Sequence, residues 1–390
     1  MLSKIIIKNY RSFRETTIID LEATNYKMLQ DTNTKDGIVK GLMFIGGNGT
    51  GKTNAIFAIR TLLDMLFKEI DITSEFCFFS KDKKMLLEYH FKQDNDFIKY
   101  HIEINKPDGK IEKETLSLNN EIILDRLLSS AKTSLSEKTL YEKEDIDSKT
   151  LFLKTLYFYT KFSSNQKIKK WYTFLQNSIY FNSVDKSFIP YNDKETNLKI
   201  RDYLANYGAL DINKFFQSFG FDQELTFDSK HEISPACSMV FVDANNQEYK
   251  EIFVKRNNMN LWIPYHFESL GNKTLLNLLP LLLYMVKNDG LFIIDEFSSA
   301  FHNELEELVI KYFMKKSSYS QLFFVSHSTN LLKSTLLRPD QIYTISFYNE
   351  LGSTIYRVSQ EHPRESQNLE KMYLNNIFKG MPKYNFYDQN

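Results

Sequence analysis

Eight consecutive residues, Gly46-Gly47-Asn48-Gly49-Thr50-Gly51-Lys52-Thr53, have the types and spacing to hold a phosphate. They fit G-x-x-x-x-G-K-[ST], the P-loop pattern. Glycines let backbone N–H groups turn inward around an anion, at φ values a side chain resists. The Lys52 ammonium would reach the β- and γ-phosphates and the Thr53 hydroxyl would ligate Mg²⁺. A helix starting here would point its positive end at the anion. Asn54, the next residue, is grouped with the loop as a nucleotide contact.

A second set of groups lies far along the chain. Leu291-Phe292-Ile293-Ile294-Asp295-Glu296 is an apolar run ending in two carboxylates. A buried parallel strand delivers its last residues to the edge where α/β folds bind ligands. Asp295 would hold Mg²⁺ through its water shell and Glu296 would polarise an attacking water. Alone, the same letters describe an acidic loop after a strand. His327 follows another apolar run, residues 321–325, and is either structural or a γ-phosphate sensor. Ser269 and Gly271 precede a strongly apolar helix over 275–286. Ser269 reads as its N-cap, and a serine hydroxyl with free N–H groups at a helix start also makes an anion site.

The elements that must position these groups are legible nearby. Residues 41–45 read as a short buried strand, and Ile56, Ile59, Leu62, Leu63 and Leu66 recur at helical spacing after Thr53. Strand, glycine loop and helix follow in the order the motif requires. At the start, Ile5-Ile6-Ile7 and residues 17–21 form a hairpin with Arg11 near its turn. Arg11 is a solvated turn residue or a second phosphate-binding arm. Residues 31–36 read as a loop. Residues 85–92, 96–104 and 114–124 largely alternate, as half-buried antiparallel strands do, with a turn at Pro107-Asp108-Gly109. From 125 to about 181 the period becomes helical, with charged stretches such as 136–149 and several aromatics that could be exposed: Tyr157, Phe158, Tyr159, Trp171 and Tyr172. Lys167, Lys169 and Lys170 beside Trp171 and Tyr172 are either a solvated helix face or a basic-aromatic patch for nucleic acid.

Composition bounds the rest. The chain has 390 residues, with Lys+Arg 49 balancing Asp+Glu 49. A neutral chain carries no global field to hold nucleic acid or an anionic membrane. Two cysteines, Cys77 and Cys237, without a CxxC pair suggest buried thiols in a reducing compartment. The first residues hold too short an apolar run for a signal peptide, and the longest run is too short to span a bilayer. A cytoplasmic location is expected, with no membrane contact.

Strand–Lys8-Asn9-Tyr10-Arg11-Ser12-Phe13–strand followed by a P-loop from Gly46 resembles the start of the RecF/SMC/OLD class of ABC-type ATPases. Together with Glu268 through His327 and Arg338-Pro339-Asp340-Gln341-Ile342, the chain resembles RecF/OLD-like AAA-domain ATPases of bacterial phage-defence and abortive-infection systems. The resemblance implies an α/β fold: an ABC-type P-loop ATPase head with an antiparallel β lobe and a helical insertion. Lobe I would span 1–125, the mainly helical insertion 126–230, and lobe II 231–390. It implies ATP and Mg²⁺ as cofactors and Glu296, His327 and Lys52 as catalytic residues. Thr53 and Asp295 would hold the metal. Arg11, Gly46, Asn48, Gly49, Thr50, Gly51, Lys52, Thr53, Asn54, Ser269 and Gly271 would hold the nucleotide, with Ser269 and Gly271 partly matching a signature loop that acts on the other subunit's γ-phosphate. The expected partners are a second copy and a separately encoded effector. Ser298-Ser299-Ala300-Phe301-His302 stands at the D-loop, with His302 where an aspartate often ends it. Gln93 is a candidate for the Q-loop glutamine.

Rivals are separable by sequence. SMC-type and break-repair ATPases need long heptad arms, and the gap between Thr53 and Asp295 is too short for them. OLD nucleases add a Toprim domain, and the acids after His327 lack a strand-end Asp-x-Asp. A transporter ATPase would lack the Lys8-to-Phe13 hairpin. A DNA-repair or DNA-binding ATPase, or a nucleotide-gated scaffold with slow turnover, remain the alternatives.

Overall fold

The computed structural model describes residues 1–135, 141–193, 197–234, 237–256, 261–299 and 303–381. Two sheets dominate. The first is antiparallel and begins with the hairpin β1 (Leu2–Lys8) and β2 (Thr17–Asp20). Between this hairpin and the next sheet, residues 31–36 are not plain loop. A helical turn, Gln30–Asn33, leads into a tiny hairpin of Thr34–Lys35 with Ile38–Val39. The buried Arg338 guanidinium holds the preceding stretch by donating to the carbonyls of Thr24 (3.0 Å), Tyr26 (2.7 Å) and Met28 (2.9 Å).

β3 (Gly41–Gly46) is buried at every residue, and α1 (Lys52–Phe67) follows the P-loop. Gly41 is demanded by packing: a Cβ there would lie 1.8 Å from the Leu322 carbonyl oxygen. α1 buries Ile56, Ile59, Leu62, Leu63 and Leu66, the helical set read from the sequence. Each fully buried side chain of this size contributes about 1.5–3 kcal/mol. Then come β4 (Lys84–Gln93), β5 (Asp96–Asn105), β6 (Ile111–Leu118), β7 (Glu121–Leu127), β8 (Ser130–Thr133) and β9 (Tyr141–Lys143). With the hairpin they make an eight-stranded sheet, β9-β8-β7-β6-β5-β4-β1-β2.

The expected helical stretch 126–230 therefore starts as strand. The cause is a charge pair that looks solvated in sequence and is fully buried in the fold. Glu114 and Arg126 face each other across β6 and β7, 3.5 Å apart. Arg126 donates to the carbonyls of Leu128, Asp147 and Thr150. Glu114 accepts from the Tyr100 hydroxyl and from the N–H groups of Phe152 and Leu153, at the start of α2 (Phe152–Thr160). A carboxylate there caps the helix and meets its positive end. Part of the charged stretch 136–149, residues 136–140, lies outside the described residues. α3 (Gln166–Gln176) follows, and then β10 (Ile179–Asn182) and β11 (Ser187–Pro190) interrupt the helical run. α4 (Ile200–Tyr207) and α5 (Leu210–Ser218) follow, and then β12 (Gln223–Asp228), β13 (Glu251–Arg256) and β14 (Trp262–Pro264) pair as a small antiparallel sheet.

The second sheet is central and mostly parallel. It runs β11-β10-β15-β16-β3-β17-β18, adding β15 (Leu291–Asp295), β16 (Gln321–Val325), β17 (Ile342–Tyr348) and β18 (Gly352–Arg357). Strands β10, β15, β16, β3 and β17 are parallel, so their C-terminal ends share one edge. α6 (Leu270–Lys287) precedes β15 and α7 (Asn303–Lys316) follows it. Alternation splits the core in two. Leu42, Phe44, Ile293 and Phe323 pack with α1 and the antiparallel sheet. Met43, Ile45, Ile294 and Phe324 pack with α4 to α7. One face of the central sheet carries the P-loop helix and the other carries the helix that starts after Ser269.

Candidate nucleotide site

The P-loop wraps the C-terminal end of β3. Two of its carbonyls find partners within the loop. Lys52 Nζ donates to the carbonyls of Gly46 (3.1 Å) and Gly47 (2.7 Å), and Thr50 Oγ1 donates to Gly47 O at 2.9 Å. Asn48 and Gly49 are exposed at the loop tip, where a Cβ on Gly49 would meet nothing within 4 Å. Gly51 sits at φ +103 with no room for a side chain. Burial pulls the Lys52 ammonium below its usual pKa, against the opposing pull of Glu296 and Asp295. An anion brought to this ammonium would gain from the low local dielectric.

The strand-end carboxylates meet this loop. Thr53 Oγ1 donates to Asp295 Oδ1 at 3.1 Å, joining two motifs 242 residues apart. Burial raises the Asp295 carboxyl above the usual range, with the Thr53 bond opposing and Glu296 adding to the rise. A hydroxyl and a buried carboxylate at this spacing are the donors that Mg²⁺ takes when phosphates and waters complete its shell. The residues therefore fit Mg·ATP. Glu296 bends away from the strand at φ +53, and its Oε2 lies 3.6 Å from His327 Nε2. Burial holds the His327 imidazole below its ordinary pKa, and the Lys52 charge pushes the same way. A neutral ring can donate from one nitrogen and accept at the other. Its backbone N–H donates to Ser298 Oγ at 2.9 Å.

Arg11 reaches the same site from the N-terminal hairpin. Glu75 grips it through both carboxylate oxygens, the Oε1 contact at 2.7 Å, and the guanidinium lies over the Phe57 ring. Its NH1 is 3.4 Å from Asn54 Oδ1. Ser269 caps α6, accepting from Asn272 N at 3.2 Å, and Gly271 lies in that helix's first turn. These two sit behind the opposite face of the sheet from α1, so one chain does not bring them onto its own P-loop. Flanking Ser269, Phe267 and Leu270 are 68% and 67% exposed.

Several expectations do not hold. Gln93 is remote: β4 runs antiparallel to β1 with Phe91 opposite Leu2, so Gln93 lies beyond the start of β1 while Arg11 follows its other end. Its amide donates to the Lys167 carbonyl. Two residues that carry no motif in the sequence lie beside Asp295. Asn182 ends β10 in register with Asp295, and Tyr180 on the same strand places its hydroxyl 3.5 Å from Asp295 Oδ2. The signal was an apolar triplet ending in a polar residue, hidden because three apolar residues fit a helix equally well. The basic-aromatic patch dissolves. Trp171 and Tyr172 are buried among Phe91, Tyr100 and Phe67, while Lys167 and Lys170 pair with Asp96 and Asp94. Phe158 and Tyr159 are exposed as read. His302, Ala300 and Phe301 lie outside the described residues. Among the described residues, no helix is long and apolar enough to cross a membrane.

Solved structures resemble this chain at low identity. An Smc head bound to the C-winged helix domain of ScpA is 13% identical, with a TM-score of 0.51 over 91% of this chain and 96% of that one. The SMC head domain from Thermotoga maritima is 15% identical, with a TM-score of 0.49 over 91% and 98%. A Pyrococcus furiosus Smc head is 12% identical, with a TM-score of 0.49 over 97% and 99%. No curated protein matches the chain. The fold is that of an ABC-type P-loop ATPase head with an antiparallel lobe. The family model described as "AAA domain, putative AbiEii toxin, Type IV TA system" matches residues 42–333, from β3 past His327, and the chain belongs to that AAA-domain family.

Proposed function

We propose that this chain binds Mg·ATP and hydrolyses it, and that nucleotide state controls pairing of two copies and, through it, a separately encoded effector. The observation that carries the reading is the Thr53–Asp295 contact at 3.1 Å with Glu296 and His327 beside it. Bound Mg²⁺ would offset phosphate charge and fix the nucleotide's orientation. Lys52 would exchange its carbonyl partners for phosphate oxygens. Glu296 would orient and deprotonate the attacking water. His327, neutral and close to Glu296, would hydrogen-bond the terminal phosphate and register its loss.

Two copies are favoured because Ser269 and Lys52 occupy opposite faces of one sheet. A head-to-tail pair would bring Ser269 of each copy to the other's P-loop. The exposed Phe267 and Leu270 would then be covered. The defence reading rests on the resemblance and on the family description. Purified protein should release phosphate from ATP only with Mg²⁺. Absence of nucleotide binding would overturn the enzymatic reading. Expression alone and with its genomic neighbour, under phage challenge, tests the effector. Full protection by this chain alone would overturn that part.

A further inference from the structure

A P-loop can turn its N–H groups toward an anion only if its carbonyls are satisfied on the other side. The Gly46 and Gly47 carbonyls are held locally, as described. The Thr50 carbonyl is held from far away: Ser353 Oγ, on β18, lies 2.6 Å from it. The Ser353 and Ser12 hydroxyls are 2.7 Å apart, and Asn54 Nδ2 donates to Ser12 Oγ at 2.8 Å. Proton counting orients the chain. A carbonyl only accepts, so the single Ser353 proton goes to Thr50 and Ser12 donates to Ser353. Asn54 then supplies Ser12 and, at its other end, faces Arg11. Every donor in the series has one acceptor.

The backbone keeps this series in place. Ser353 N–H donates to the Ser12 carbonyl at 2.7 Å. A Cβ on Gly352 would lie 2.3 Å from that same carbonyl oxygen. A Cβ on Gly51 would come within 2.2 Å of Ser353 Oγ and 2.6 Å of Ser12 Oγ. The glycine before Lys52 is thus required here by two serines as well as by its positive φ.

We propose that Ser353, with Ser12 behind it, is a positioning residue of the nucleotide site. It holds the Thr50 carbonyl outward, so that the loop's N–H groups face the phosphates, and ties the loop to Arg11. The inference rests on the nucleotide-binding reading above. Titration of a non-hydrolysable ATP analogue with Mg²⁺ into the full-length chain tests it, alongside amide exchange at residues 46–53. Ser353→Ala should weaken affinity about tenfold, the cost of a half-buried carbonyl left without its donor. Its kcat at saturating ATP should stay within about twofold, and its P-loop amides should exchange faster. Ser12→Ala leaves the Ser353–Thr50 bond intact and should cost about two- to threefold. The double variant should fall short of the product of the two, because the residues act in series. If wild type binds the analogue while Ser353→Ala binds equally well with unchanged exchange, the inference is overturned and the functional reading stands. If wild type binds nothing, the functional reading itself fails. Should Ser353→Ala not fold, wild-type affinity in Ser12→Ala overturns the inference on its own.

Discussion

The two faces of the central sheet are finished differently. On the α1 face, polar side chains are matched to one another across the whole length of the chain. Lys52, Thr53 and Arg11 each have named partners. On the α6 face the comparable element is a helix end with one satisfied cap and two bare apolar side chains around it. On the proposed reading, the first face is preorganised for an anion. The second is a surface that gains by being covered. On the reading proposed above, each face would carry half of what phosphate chemistry needs, and one chain would look to another copy to complete it.

The comparison breaks first if the carboxylates are wrongly assigned. Glu296→Gln should bind nucleotide normally and lose about a hundredfold or more in hydrolysis. Lys52→Ala should lose binding as well, and equilibrium titration separates the two. Hydrolysis at wild-type rate in Glu296→Gln sinks the general-base role. Next, Lys52→Ala and Ser269→Arg proteins should each be inactive. On mixing, activity should return to at most about half of wild type per heterodimer if the sites act independently. Wild-type hydrolysis by Ser269→Arg alone removes the need for a second copy.

A stability test sets the antiparallel lobe against the nucleotide edge. Arg126→Ala leaves the buried Glu114 carboxylate without its cation and should cost about 3–5 kcal/mol in chemical denaturation. Its nucleotide affinity, measured well below the melting point, should not change. Ser269→Gly is subtler. Glycine replaces an N-cap serine at a cost of a few tenths of a kcal/mol, so a fall in hydrolysis without a fall in stability would assign the hydroxyl to the other copy's nucleotide.

The smallest effect concerns Glu306, whose carboxyl is buried on α7. Burial pushes its carboxyl from an ordinary 4.5 up to about 7. A carboxyl whose pKa rises on folding stabilises the fold while protonated. That contribution is full below about 4.5 and is lost as pH rises to about 7. Glu306→Gln should flatten the fall of the unfolding midpoint between these pH values. An unchanged pH profile would show that Glu306 is not its source.

What could be read in the sequence was whatever sits in a contiguous pattern. The P-loop, the apolar run into Asp295, α1, α6 and the β4–β5 hairpin each declare themselves within a few residues. Two kinds of feature did not. Glu114 and Arg126 are charged, and nothing in the sequence marks them as a buried pair; only the fold sets them opposite each other on neighbouring strands, 12 positions apart. Trp171 and Tyr172 looked available for the same reason in reverse, because burial by β4 and β5 depends on tertiary packing. Ser12, Ser353 and Asn182 carry no motif at all. A serine's role depends on which carbonyl stands in front of it, and only the fold decides that.

The position of β3 in its sheet has a consequence for the chain as it is made. β3 is complete once residue 46 exists, yet its two neighbours are β16 and β17, from residues 321–325 and 342–348. Until both emerge from the ribosome, the strand that carries the P-loop has no ladder on either side. Parallel pairing over such separations is slow, because the chain entropy is lost before the contacts form. ATP should therefore be invisible to a nascent chain long after its phosphate-binding motif has been synthesised. A chain stalled at residue 300 should leave that motif open to protease, and one released past residue 357 should protect it.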